Sequence, residues 1–285
     1  MSVCHRRWGS SGHLCRCGAR VGRGILRAVL KRLLEGYDRR SLASLSVLAV
    51  GYLLVWLRFP WLVDLHAPFD PLLTLTWGFM TAALAWGVSP RRDVVRALVG
   101  LAGGLCIEGW GTIAGLWAYW TTERPPLWII PAWAVAGLAI DRIARFIRPS
   151  LGPASEKMAT PILLMFAVWF AWFARGSFPH PATIAAFAAM IAVPLLPGNR
   201  REDLALFVGG SALGICLETW GTTHGVWYYV TKETPPIEAV LAHGFAAVAF
   251  QRAAGLVDRL LDWLGERRAK TAAPVTTGAA ISSRS

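Results

Sequence analysis

Eight apolar runs separated by proline or charge limit what this chain can become. They lie at roughly 42–58, 71–89, 94–120, 127–147, 160–177, 182–197, 204–230 and 236–256. Each is near the roughly 20 residues that a bilayer-crossing helix needs. Most are bounded by Pro60, Pro71, Pro90, Pro125-Pro126, Pro149, Pro181, Pro197 or Pro235-Pro236. Periodicity does not separate a buried helix from a lipid-facing one, so length decides. Only 16% of the 285 residues are charged and 55% are hydrophobic, whereas soluble domains usually carry about 25% charged residues. The expected fold is an all-α polytopic transmembrane bundle of about eight spans.

The formal charge of +12 invites a nucleic-acid reading, but the basic residues are placed otherwise. Ten Lys/Arg fall within the first 40 residues, and most others sit in short loops between apolar runs. No aromatic-and-basic RNA motif, zinc-finger spacing or basic zipper is present, so nucleic acid is not an expected partner. With the N-terminus inside, 25 of the 29 Lys/Arg are cytoplasmic and only Arg58, Arg124, Arg175 and Lys232 lie outside. That bias predicts cytoplasmic N- and C-termini in an inner or plasma membrane. Residues 24–37 and 256–268 read as basic amphipathic helices on the inner leaflet, against anionic lipid. Residues 1–23 are Arg-rich and free of acid, and read as a disordered basic tail rather than a transit peptide. Residues 271–285 also read as disordered. The five cysteines offer no disulfide framework, and Cys106 and Cys216 read as small buried thiols.

The chain also repeats itself. Residues 104–126 (GLCIEGWGTIAGLWAYWTTERPP) align without a gap to 214–236 (GICLETWGTTHGVWYYVTKETPP), with 13 of 23 positions identical at an offset of 110. The register extends to Pro71/Pro181, Arg91/Arg201, Asp93/Asp203, Gly100/Gly210 and Arg142/Arg252. The expected domains are a basic tail with its amphipathic helix (1–41), a four-helix repeat (42–147), a cytoplasmic linker (148–159), a second repeat (160–256) and a C-terminal amphipathic end with its tail (257–285). Four spans per copy is an even number, so the two copies are parallel, related by an axis along the membrane normal.

Residues three and four apart share a helix face. Gly100, Gly104, Glu108, Gly111, Thr112, Gly115 and Tyr119 therefore form one stripe, matched by Gly210, Gly214, Glu218, Gly221, Thr222, Gly225 and Tyr229. Small residues at this spacing let membrane helices approach closely, so the stripe is the expected contact between copies. It would bring Glu108 and Glu218 together near the pseudo-twofold axis. An intramembrane carboxylate is a site hypothesis in its own right. Two nearby carboxylates share a proton, and a protonated Glu in an apolar cavity is a general acid. The structural alternative is a carboxyl that bonds a Thr hydroxyl or Trp indole and only holds helices together.

The expected catalytic residues are Glu108, Glu218 and His243, the last standing where the first copy has Trp133. The expected substrate wall is Trp110, Thr112, Trp117, Tyr119, Trp220, Thr222, His224, Trp227 and Tyr229, whose ring faces would stabilise a cation. For Trp110, Trp117, Tyr119, Trp220, Trp227 and Tyr229 the alternative is an interfacial aromatic belt. The second copy adds His224, Glu238 and His243 where the first has Ala114, Trp128 and Trp133. Glu218 is therefore expected to matter more, with His224 passing protons inward from the aqueous face. No histidine pair has ligand spacing such as HxxxH, so no metal is expected, and no phosphate loop, nucleophile elbow or dinucleotide fingerprint implies a cofactor.

The order Glu, Gly-Thr, Gly, aromatic, Tyr, Pro resembles the motif of carotenoid-biosynthesis membrane proteins of the carotenoid-hydratase and small lycopene-cyclase kind. It is carried by Glu218, Gly221, Thr222, Gly225, Tyr229 and Pro235, and by Glu108, Gly111, Thr112, Gly115, Tyr119 and Pro125. The resemblance implies a multi-spanning protein that uses carboxylates on a polyene without a soluble cofactor. The chain departs from it in the duplicated WGT element and in lacking the acidic PE motif of lycopene cyclases. Three functions stand open on the sequence. The first is acid–base chemistry on, or binding of, an apolar isoprenoid-like membrane lipid, with hydratase- or cyclase-type activity. The second is proton-coupled transport, and the third a structural assembly factor.

Overall fold

The structure, a computed structural model, describes residues 33–58 and 70–272, preceded by Arg27, Leu30 and Lys31. The expected basic tail at 1–23 and residues 273–285 lie outside the described residues. The chain is mostly helical, and five of its helices are long and apolar enough to cross a membrane: α1 (Arg39–Arg58), α3 (Pro90–Ile113), α5 (Ala154–Phe173), α7 (Arg200–Thr223) and α8 (Ile237–Ala272). Between them lie α2 (Pro71–Ala85), α4 (Ile130–Ile147) and α6 (Pro181–Leu195).

Helix starts follow the punctuation in the sequence. Pro71, Pro90 and Pro181 occupy the first helical turn, where a missing N–H costs nothing. Asp70 and Asn199 cap α2 and α7, their side chains accepting the N–H of Leu73 (3.0 Å) and of Glu202 (3.1 Å). The uniform span lengths expected from the apolar runs are not observed. Helices α2 and α6 have 15 residues each, roughly 22 Å against a hydrocarbon core of about 30 Å. Helix α4 ends in Asp141, Arg142 and Arg145 and is too polar at that end to qualify. The segment 256–268 is not a separate amphipathic helix, because α8 runs through it unbroken. Leu256, Leu260, Leu261 and Leu264 are exposed there, and Arg91 pairs with Asp262. Within 24–37 the described residues before Gly36 are helical, and the Trp86 indole donates to the Leu33 carbonyl at 3.1 Å.

Helices α3, α4, α7 and α8 form the centre; α2 packs on α4 and α7, α5 on α7 and α8, and α6 on α5. The matched pairs Asp93/Asp203 and Arg142/Arg252 now have a physical meaning. Arg142 donates to Asp93 at 2.6 Å and to its neighbour Asp141 at 2.7 Å, and Arg252 bonds Asp203. Each copy thus locks its third helix to its fourth by an ion pair at one end. Gln251 joins the copies at that level, accepting from Arg96 (3.1 Å) and donating to Glu202 (3.1 Å).

The glycine stripe serves the same pairing, which corrects its expected role between copies. A Cβ on Gly100 would stand 3.0 Å from Ala134 Cα, and one on Gly104 would stand 2.4 Å from the Trp133 ring. On Gly210 it would meet Gly244 Cα at 2.6 Å, and on Gly214 the Val240 carbonyl oxygen at 2.6 Å. The stripe therefore seats α4 on α3 and α8 on α7, within each copy. Backbone opposes backbone at Gly210, so no rotamer change relieves a methyl there. Gly210→Ala is expected to lower stability in detergent by about 1–3 kcal/mol. Gly78→Ala, in open space on α2, should be neutral or slightly stabilising, as Ala is the better helix former. Paired thermal melts would read both, and equal melting points would refute this account of the stripe.

Candidate functional site

Glu108 and Glu218 are buried, 3% and 4% exposed. The sequence after each ends its helix and folds the chain back onto the carboxylate. The Thr112 and Thr222 hydroxyls donate to the Glu108 and Glu218 carbonyl oxygens at 2.5 and 2.6 Å. Both hydroxyls are thus engaged with the backbone, and neither threonine borders the cavity described below. The chain then turns at Gly115 (φ 72°) and Gly225 (φ 64°), left-handed conformations that glycine adopts without strain. The residues expected to continue as helix instead form two short strands, β1 (Trp117–Tyr119) and β2 (Trp227–Tyr229). These pair antiparallel in the register Trp117↔Tyr229, Ala118↔Tyr228 and Tyr119↔Trp227.

Side chains alternate along a strand, so Trp and Tyr of each W-x-Y triplet face the same way. Trp117 Nε1 donates to Glu108 Oε2 at 2.9 Å and the Tyr119 hydroxyl to Oε1 at 2.9 Å. In the second copy Trp227 Nε1 and the Tyr229 hydroxyl donate to Glu218 Oε2 at 2.8 and 3.0 Å. Both indoles lie over a glycine, and a Cβ on Gly111 or Gly221 would stand 1.9 or 2.0 Å from the ring. The third donor comes from the fourth helix of each copy. Trp133 Nε1 donates to Glu108 Oε1 at 2.9 Å, and His243 Nε2 lies 2.8 Å from Glu218 Oε1.

The two carboxylates thus have matching surroundings apart from one substitution. All three partners of Glu108 are neutral donors, and an indole N–H has no acceptor capacity, so the set suits an acceptor-only carboxylate. Glu218 has instead an imidazole in place of one indole. Among the described residues no hydrogen bond joins the two carboxylates directly. Aromatic rings join the copies: Trp117 to Tyr229 at 6.0 Å, Tyr119 to Trp227 at 5.9 Å, and Trp133 stacked on His243 at 5.6 Å and 17°.

Both carboxylates border a cavity of about 810 Å³, inside the range of roughly 300–1,000 Å³ typical of small-molecule sites. Of the expected residues, Trp110, Trp117, Tyr119, Trp227, Tyr229 and His243 also border it. Phe166, Phe170 and Phe173 of α5 supply an apolar wall that the sequence reading missed. They recur at three- and four-residue spacing, as any buried helix face does, so nothing marked them as lining. Trp220 and His224 are placed elsewhere, against expectation. Trp220 Nε1 donates to Asp70 Oδ2 at 2.6 Å, and His224 Nε2 lies 2.9 Å from the same oxygen. His224 therefore clamps the end of α7 to the start of α2 and is no proton inlet to Glu218. Asp70, unmarked beyond its place before a proline, has its carboxyl held below the ordinary range. The backbone N–H of Leu73 is the main cause, with Trp220 and His224 adding to it. Glu238 does not border the cavity. Among the described residues no group of three or more His, Cys, Asp or Glu is placed to hold a metal ion.

No protein-family model, curated protein or solved structure matches this chain.

The indole over Gly221 makes a sharp test of this geometry. Gly221→Ala should displace the Trp227 ring, cost Glu218 a buried donor and destabilise by about 1–3 kcal/mol. In the Gly221→Ala, Trp227→Phe double variant the donor is still lost, but the benzo edge of the indole that the methyl would meet is gone. Trp227→Phe alone should therefore account for most of the loss in a double-mutant cycle read by thermal melts. Additive losses would place the ring elsewhere.

Proposed function

We propose that the chain is a plasma-membrane protein of eight crossings, built as two parallel four-helix repeats with both termini cytoplasmic. In this reading it binds an elongated, apolar, isoprenoid- or polyene-like lipid and carries out acid–base chemistry on it. The observation that carries the reading is one apolar, aromatic-walled cavity bordered by two buried carboxylates, of which only Glu218 has a histidine partner.

The division of labour follows from that difference. In this reading His243, held between Glu218 and the face of Trp133, is the proton donor. It gives its proton to one carbon of a double bond, whose π electrons form the new C–H bond and leave the other carbon positive. Glu108, held by its three neutral donors, faces that cation across the cavity. The cation then takes up water and returns a proton, giving a hydrated product, or loses a neighbouring proton to give an isomer. Proton-coupled transport is less favoured. Helices α3 and α7 run unbroken through Glu108 and Glu218, and each carboxylate is held by donors from its own copy.

The test is to purify the protein from its native membrane, identify any co-purifying lipid by mass spectrometry and absorbance, and assay proteoliposomes with lycopene for a hydrated or isomeric product. Glu218→Gln should abolish turnover, and Glu108→Gln should reduce it with a shifted pH profile. His243→Trp makes the second site a copy of the first. It should keep the melting point but lower turnover by roughly 10²–10⁴-fold, the usual worth of a general acid. Unchanged turnover in His243→Trp would overturn the assignment. For the crossings, reporters fused after residue 92, 153, 200 or 270 should report the cytoplasm and those after 65, 124, 178 or 233 the outside. An outside signal at 153 would overturn the parallel repeats.

A further inference from the structure

The duplicated scaffold has two grooves related by the 110-residue offset, one where α6 faces α3 and one where α2 faces α7. They are not alike. Helix α2 packs directly on α7, and Asp70 ties its start to Trp220 and His224. Helix α6 reaches α3 through Trp110, whose Nε1 donates to Thr183 at 2.9 Å and whose ring meets Phe187 edge-on at 6.4 Å. On this side the cavity is lined by Gly103, Ala182, Ala185 and Ala189. The copy-related residues are Leu213, Leu72, Leu75 and Phe79, and none of them borders the cavity. Small residues face the cavity on one side; of their large counterparts Leu213 is buried, while Leu75 and Phe79 are exposed on the outside of α2.

We propose that the cavity opens sideways into the hydrocarbon between α3 and α6, and that lipid chains enter there from the bilayer. Among the lining residues, Cys106, Ile113, Ala182, Ala185 and Ala189 are exposed at this edge, and none carries a charge. Apart from His180 at the start of α6, which also borders the cavity, the exposed rim is apolar, and this suits lipid tails. The alanines of α6 fix the width of the opening, so they select for slender, unbranched or isoprenoid chains over bulky polycyclic ones. The opening leads from lipid past Phe166 and Phe170 to Glu108 and Glu218, so a chain enters end-on with its leading terminus at the carboxylates. This inference rests on the reading of the site as one for an apolar lipid, and it adds the route and the residues that gate it.

The test uses the full chain in phosphatidylcholine vesicles containing a phosphatidylcholine with a photoreactive diazirine near one acyl terminus. After illumination, crosslinked peptides are mapped by mass spectrometry. Phe166, Phe170 and Phe245 border the cavity and are 2%, 4% and 5% exposed, so crosslinks to them require an acyl chain inside. The expected result is crosslinking at these residues in the unaltered protein, falling by about tenfold in Ala185→Trp, where an indole fills the opening. Leu75→Trp, at the copy-related position on α2, should leave it within about twofold. Ala189→Trp serves as a second plug if Ala185→Trp lowers folded yield. Crosslinks confined to outward residues such as Leu105 and Ile184 would overturn the proposal, as would interior crosslinks that persist in both plugged variants. Adding lycopene to the vesicles separates this inference from the functional reading. Interior crosslinks that lycopene does not displace would leave the opening in place and count against a polyene as the ligand.

Discussion

A carboxylate buried among apolar helices must be met by donors, and this requirement organises the centre of the molecule. The donors of Glu108 and Glu218 come chiefly from Trp and Tyr on the β1–β2 pair, which couples the two sites through one register. Trp117 stands opposite Tyr229 and Tyr119 opposite Trp227, so the residues serving one carboxylate are the strand partners of those serving the other. A one-residue slip would turn all four away and leave both acids unmet. Tyr228, on the opposite face of β2, is half-exposed and bonds neither acid. Short as they are, the strands carry the pairing that neither helix could provide.

Against this shared frame the exchange of Trp133 for His243 has more consequence than its place in a long helix implies. Both side chains lie 25 residues after their glutamate, both reach Oε1, and the two rings stack on one another. The geometry is conserved between copies while the chemistry changes from a fixed donor to an exchangeable one. A pair of interacting carboxylates would divide one proton between them and titrate as a unit. Two carboxylates with separate donor sets can hold different protonation states at the same pH. Asymmetry of this kind is what an acid–base site needs, since one group must supply the proton while the other keeps its charge.

Much of the fold was legible in the sequence because the relevant signals were local or repeated. Proline and cap residues placed most helix starts, and the offset of 110 paired Asp93 with Asp203 and Arg142 with Arg252 before their ion pairs were seen. The two glutamates stood out because charge is costly at that depth. What was not legible depended on contacts distant in the chain. Strands of three residues leave no period to detect, so W-x-Y was read as the last turn of a helix. The glycines at four-residue spacing announced a close approach but not its partner, and the nearer helix of the same copy took it. Trp220 and His224 were assigned to the site by their place in the motif, yet Asp70, 150 residues before Trp220, draws both away. The alternative in which an indole bonds each glutamate and holds helices together describes the observed geometry as far as it goes. The cavity beside those bonds is what leaves room for more.

Duplication alone would yield two chambers, one for each carboxylate, whereas here one cavity is bordered by both. The cause lies in the helices outside the repeated motif. Helix α5 packs against α7 and α8 and inserts Phe166, Phe170 and Phe173 as a wall, whereas among the described residues the main neighbour of its counterpart α1 is α2. Trp56, the copy-related residue of Phe166, is 39% exposed on that outer helix and walls nothing. Both carboxylates therefore face the same space. The motif supplies two equivalent acids, and the unmatched outer helices make them two unequal members of one site.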